Sequence, residues 1–182
     1  MGSATAFGIL SLPVIILSWR TLLNFKSHGF YRFFSWECIL WLLITNLRYW
    51  FDDPFGIQQI ISWIFLLVSV YLVIAGAVLL KNAGKPDKQR DEKTLFQFEK
   101  TSELIEIGIF RYIRHPLYAS LLFLTWGILL KHPAGMALIT ALTSTLFLFL
   151  TAIFDEQECI LFFGEKYKDY MKRTKRFIPF VF

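Results

Sequence analysis

The sequence predicts an all-α fold: a polytopic membrane helix bundle with about five transmembrane helices, a short helical hairpin and a C-terminal amphipathic helix. Composition, the length of the apolar runs and the placement of charge carry that prediction. Hydrophobic residues make up 55% of the 182 residues, Phe occurs 20 times, and only 18% of residues are charged. A typical globular chain is roughly 45–50% apolar with glycine included and about 25% charged. This balance excludes a disordered chain and a coiled coil. Cys38 and Cys159 lie far apart with no CxxC or metal spacing, so a disulfide scaffold is excluded too. The net charge of +5 comes from basic residues that flank apolar blocks rather than interleave with aromatics. That points to membrane lipids and not to nucleic acid.

Lipid offers backbone groups no water, so a crossing segment is a helix of about 20 apolar residues that bonds its own N–H and C=O groups. Four runs reach that length: residues 5–25, 33–51, 57–80 and 135–154. A fifth, 117–130, has 14 residues. Its helix of about 21 Å falls short of a roughly 30 Å hydrocarbon core, so it is expected to tilt, re-enter or extend through its flanks. Lys131-His132-Pro133-Ala134 then turns the chain tightly into the last run. The first basic side chain, Arg20, follows the first run instead of preceding it, which argues against a cleaved signal peptide.

Charge sets the orientation. Of 19 Lys and Arg residues, 17 fall on one side of these spans, and only Arg48 and Lys131 on the other. The N-terminus is therefore expected outside, with the long third connection and the tail in the cytoplasm. The run KNAGKPDKQR (81–90) reads as a polar linker. It divides the chain into N-terminal helices and linker (1–90) and a region that holds the chemistry (91–182). After it, TLFQFEKTSELIEIGIF (94–110) has no clean period and reads as an interfacial loop. In the tail, Ile160, Phe163, Tyr167, Tyr170 or Met171, and Thr174 recur every three or four residues, the spacing of an amphipathic helix.

Two runs can carry chemistry. GIFRYIRHPLY (108–118) directly precedes the short span. Pro116 suits the first position of a helix, which puts His115 at the N-cap. There the unpaired N–H groups and the positive end of the dipole receive a carboxylate or phosphate, with Arg114 and His115 as further donors. The same residues also fit a plain membrane boundary, with Arg114 at head groups and Tyr118 in an aromatic belt. The second run, Asp155-Glu156-Gln157-Glu158, follows the last span. The hairpin brings it beside Arg114 and His115. Carboxylates at a helix C-terminus oppose the dipole and call for a cation or a ligand; an ion pair with Arg111 or Arg114 meets that need as well.

With these motifs in order, the chain resembles the isoprenylcysteine carboxyl methyltransferase and phospholipid methyltransferase superfamily. GIFRYIRHPLY is similar to its G-x-(Y/F)-x-x-x-R-H-P-x-Y motif. Asp155-Glu156, then Phe163-Gly164-x-x-Tyr167-x-x-Tyr170, then Arg176-x-x-Pro179 resemble the acidic pair and the motifs that follow it. The resemblance covers about residues 97–179. It implies a membrane enzyme using S-adenosyl-L-methionine, bound on the cytoplasmic side by the last two membrane helices. By position, Arg114, His115, Pro116, Leu117 and Tyr118 match the cofactor-holding motif. Gln97, Ser102, Glu103, Leu104, Ile105 and Phe110 match the cofactor-lining stretch before it. Asp155 aligns with a cofactor-contacting Glu, and Glu156 with its partner. Asp155, Glu156 and Arg176 are the expected catalytic residues. One departure stands out: the isoprenylcysteine enzymes carry an Arg for the substrate carboxylate where this chain has Thr151.

A methyl sulfonium is already activated, so transfer requires alignment and exclusion of water, with no metal. The expected function is methyl transfer from S-adenosylmethionine to a lipophilic or lipid-anchored acceptor that arrives from the bilayer. Methylation of a phospholipid amine and a non-catalytic membrane scaffold are the alternatives.

Overall fold

The computed structural model describes residues 2–83 and 103–180, and among them forms six α-helices with no strand beyond an isolated bridge. In chain order they are α1 (Ser3–Leu22), α2 (His28–Asn46), α3 (Ile57–Ala83), α4 (Pro116–Leu129), α5 (Gly135–Phe163) and α6 (Glu165–Arg173). α3 packs on α4, α2 packs on α5 and α1, and α4 touches both α5 and α2. By length and composition α1, α3 and α5 are able to cross a membrane. The other two expected spans are α2, 19 residues with Arg32 and Glu37 inside it, and α4, with 14 residues.

The bundle is apolar on its surface as well as in its core, where Leu42, Ile128 and Leu148 are buried. Large apolar side chains face outward: Ile16 is 70% exposed and Leu67 67%. Small polar ones face inward, with Ser35 Oγ 3.0 Å from Ser144 Oγ and Ser144 Oγ 3.3 Å from Thr125 Oγ1. Lipid rewards this pattern, because small residues let helices approach and their hydroxyls bond across the interface.

Two helices cap the far end of α4. Asn46 Nδ2 donates to Ile128 O (2.9 Å), Ser62 Oγ to Gly127 O (2.7 Å), Gln58 Nε2 to Leu130 O (2.8 Å) and Gln59 Nε2 to Lys131 O (3.1 Å). The carbonyls that every helix leaves unpaired at its C-terminus are thus bonded by side chains of α2 and α3. Lys131 is buried beside them, its Nζ 3.0 Å from Gln59 Oε1 and 3.6 Å from the centre of the Trp63 ring.

The tail departs from expectation. α5 does not stop near residue 154 but continues to Phe163, ending at Gly164, whose φ of 62° only glycine adopts without strain. Asp155 and Glu156 therefore lie inside a helix, and the dipole argument for a C-terminal position does not apply to them. The single amphipathic helix expected from residue 160 is split at Gly164, and its second part is α6. Glu and Gln carry a helix onward once the apolar run ends, so hydropathy marked the edge of the apolar stretch and not the edge of the helix.

Candidate active site

His115 is the N-cap of α4 and Pro116 its first residue. Proline has no N–H to lose there, and the amides of Leu117 and Tyr118, in the first turn, have no intrahelical carbonyl within reach. The backbone entering this cap is held by the tail. Ile113 and Lys175 form a parallel bridge, Arg114 N donates to Lys175 O (2.7 Å), and His115 N donates to Arg176 O (3.1 Å). Tyr170 of α6 adds a bond from its hydroxyl to Phe110 O (2.6 Å).

A cavity opens at this cap. Leu104, Ile105, Phe110, Arg114, His115, Pro116, Leu117, Tyr118 and Asp155, all anticipated from the sequence, line it. Leu80, Cys159, Phe163, Tyr167 and Tyr170 complete the wall. Cys159 lies one helical turn after Asp155, a relation visible only once α5 is known to continue. Phe163, Tyr167 and Tyr170 belong to a motif the sequence displayed without a role. Glu103 is exposed and is not among the lining residues. Gln97 and Ser102 lie outside the described residues.

The two neighbouring carboxylates do different work. Asp155 faces the cavity: its Oδ2 is 3.3 Å from His115 Nδ1, and the Tyr118 hydroxyl donates to it. The His115 and Tyr118 rings stack with centroids 5.3 Å apart. Glu156 is turned to the tail, and both its oxygens are taken. Oε1 accepts from Arg114 Nε (2.9 Å) and Arg176 Nε (3.0 Å), and Oε2 accepts from Arg176 Nη2 (2.8 Å). Arg114 is consumed as well, its Nη1 bonding Met171 O (3.2 Å) and Thr174 O. Arg176, the third expected catalytic residue, is in this clasp and not among the residues lining the cavity.

Burial pulls the His115 imidazole toward a lower pKa, but Asp155 and Glu156 outweigh it and hold it above its ordinary value. His115 Nε2 is 3.4 Å from Glu156 Oε1 in a poorly aligned contact that forms no hydrogen bond. Burial pushes the phenols of Tyr167 and Tyr170 far above theirs, so both stay neutral donors.

The site thus gathers a carboxylate, an imidazole, a helix N-terminus and aromatic faces. Residues 57–169, which hold α3, α4, α5 and most of this cavity, match the family model described as phospholipid methyltransferase. The chain belongs to the phospholipid methyltransferase family. It is 24% identical over 183 residues, 96% of its length, to a methanethiol S-methyltransferase of Crocosphaera subtropica. It is 30% identical over 123 residues, 65% of its length, to a methanethiol S-methyltransferase of Pseudomonas deceptionensis. A probable protein-S-isoprenylcysteine O-methyltransferase of Oryza sativa subsp. indica is 28% identical over 126 residues, covering 65% of the chain and 63% of that relative. The chain spans 59% and 42% of the first two relatives' own lengths. No solved structure matches it.

Proposed function

We propose that this chain is a membrane methyltransferase that uses S-adenosyl-L-methionine, held at the N-cap of α4, to methylate a small lipophilic acceptor, a thiol. The observation that carries the reading is the convergence of His115, Tyr118 and Asp155 on one cavity at a helix N-terminus. The residues present fit that cofactor. The first-turn amides and the His115 imidazole suit its carboxylate, Asp155 suits its ammonium or ribose hydroxyls, and the rings of Phe110 and Tyr118 suit a sulfonium. When bound, S-adenosylmethionine supplies an already activated methyl group.

The chain's own residues then orient and enclose. His115 and Tyr118 fix the Asp155 carboxylate between them, so it meets its ligand without reorganising. Leu104, Ile105, Phe163 and Tyr167 exclude water from the reacting atoms. The lateral faces of the bundle are apolar, which suits an acceptor delivered through lipid. The basic asymmetry of the loops supports a cytoplasmic cavity. Thr151 is buried and its hydroxyl bonds Phe147 O (2.7 Å), so this position offers no cation for a carboxylate acceptor. The relatives named for methanethiol favour a thiol.

Purified protein in detergent tests the reading in two steps. S-adenosylhomocysteine is expected to bind by calorimetry, and methanethiol with labelled S-adenosylmethionine to yield labelled dimethyl sulfide. Label in extracted phospholipid instead would transfer the reading to a lipid amine. The absence of any binding heat from folded protein would leave a scaffold.

A further inference from the structure

Among the described residues, three tyrosines line the cavity, and two have their hydroxyls engaged. Tyr118 donates to Asp155, and Tyr170 donates to Phe110 O (2.6 Å). Tyr167 differs. Only 3% of it is exposed, yet its hydroxyl has no hydrogen-bond partner among the described residues. Nor is its oxygen sealed among protein atoms, as the orphaned ring nitrogens of His28 and His115 are. A buried hydroxyl left without a partner carries the full cost of its lost water, and such groups in native structures call for an explanation. This one belongs to the cavity wall, where a bound molecule is able to supply the partner.

The shape of the wall says which part of a ligand arrives there. Asp155, Cys159 and Phe163 line the cavity and follow one another by single turns of α5. The wall therefore runs about 12 Å along that helix from the carboxylate to the Phe163 ring. Phe163 and Tyr167 stand nearly parallel there, 18° apart with centroids separated by 6.4 Å. Tyr170 meets Tyr167 edge-on at 5.7 Å. One end of the cavity is thus charged and the other aromatic. An S-adenosyl donor has the same two ends, an amino acid on one side of its sulfonium and a purine on the other. With Asp155 at the polar end, the purine falls against Phe163 and Tyr167. Flat bases stack on aromatic side chains, and the ring nitrogens of adenine accept hydrogen bonds.

We infer that Tyr167 is a cofactor-contacting residue that recognises the base: adenine packs against Tyr167 and Phe163, and the Tyr167 hydroxyl donates to one of its ring nitrogens. The inference rests on the proposal that Asp155 binds the cofactor at its other end. Burial holds the phenol far above its ordinary pKa, so the hydroxyl keeps the proton it donates.

Calorimetry on detergent-solubilised, monodisperse full chain tests it, with S-adenosylhomocysteine and its 1-deaza, 3-deaza and 7-deaza analogues, each lacking one ring nitrogen. Tyr167→Phe removes the hydroxyl and keeps the ring against Phe163 and Tyr170. It is expected to bind S-adenosylhomocysteine about five- to tenfold more weakly. Its Tm without ligand is expected to be unchanged or higher, since the free protein loses no bond. One deaza analogue is expected to bind wild type more weakly by a similar factor and to bind wild type and variant alike, while the other two keep the gap between them. A tyrosine that only packs predicts otherwise: the variant binds S-adenosylhomocysteine as wild type does, or loses the same factor with all four ligands. Either result overturns the inference while wild-type binding upholds the cofactor reading. Equal affinity of wild type for all four ligands does the same without any variant. A clearly lower Tm of Tyr167→Phe also overturns it, by giving the hydroxyl a partner within the chain. A folded wild type that binds no S-adenosylhomocysteine overturns the cofactor reading and takes this inference with it.

Discussion

Glu156→Gln separates a clasp from a catalyst. Glu156 accepts from Arg114 Nε (2.9 Å), Arg176 Nε (3.0 Å) and Arg176 Nη2 (2.8 Å). The side chains of Arg114 and Glu156 are 8% and 4% exposed and that of Arg176 is 26% exposed, so the three are largely out of water. Removing one charge from a buried, hydrogen-bonded pair costs about 3–5 kcal/mol, because the partner is left uncompensated. Glutamine keeps a carbonyl acceptor, so the lower end, about 3 kcal/mol, applies. At about 2–4 °C per kcal/mol for a chain of this size, Tm is expected to fall by about 6–12 °C. Intrinsic fluorescence during heating of detergent-solubilised protein reads this directly, since the chain has six Trp. S-adenosylhomocysteine affinity, measured below the transition, is expected to change less than about threefold, because Glu156 does not line the cavity. An unchanged Tm with affinity lost would refute the clasp and return Glu156 to the ligand.

The neighbouring residue faces the ligand: Asp155→Asn is expected to weaken S-adenosylhomocysteine about 10–100-fold, the worth of a charge-assisted hydrogen bond, and to lower Tm as well, because His115 loses a partner. Calorimetry and a melting curve on one preparation check both. Gly108 has φ +58°, and an added Cβ would lie 2.6 Å from Leu79 Cδ1. Gly108→Ala is therefore expected to cost about 1–2 kcal/mol or more from backbone alone, read as a drop in Tm that Leu79→Ala in the same chain partly relieves. Because the folded-state pKa of His115 is raised, its stabilisation is complete below about pH 6.5, the unfolded value. It is lost as pH rises through the folded value. A Tm that declines across that upward window in wild type and stays flatter in His115→Asn is the expected pattern.

Much of the site was legible because its signals are local. R-H-P fixes a helix start by the chemistry of proline, and α4 begins at Pro116 as that chemistry requires. The hairpin at Lys131–Ala134 then places Asp155 beside His115. What escaped the sequence is what has no period. The bridge from Ile113 to Lys175 involves too few residues to alternate, and nothing local in the tail announces it. The division of labour between Asp155 and Glu156 depends on how far α5 continues, since one residue of rotation decides which carboxylate meets the cavity. The meeting of His28 with Glu158 spans 130 residues and has no signature at either end.

The capped end of α4 has a consequence for traffic. Fourteen residues reach only about 21 Å, and Asn46, Gln58, Gln59 and Ser62 bond the backbone carbonyls at the far end with their own amides and hydroxyl. Among the described residues, the candidate cavity lies at the opposite end of α4, beside the tail. On the proposed function, a polar donor enters beside the tail and an oily acceptor through the flanks, so the two do not compete for one route.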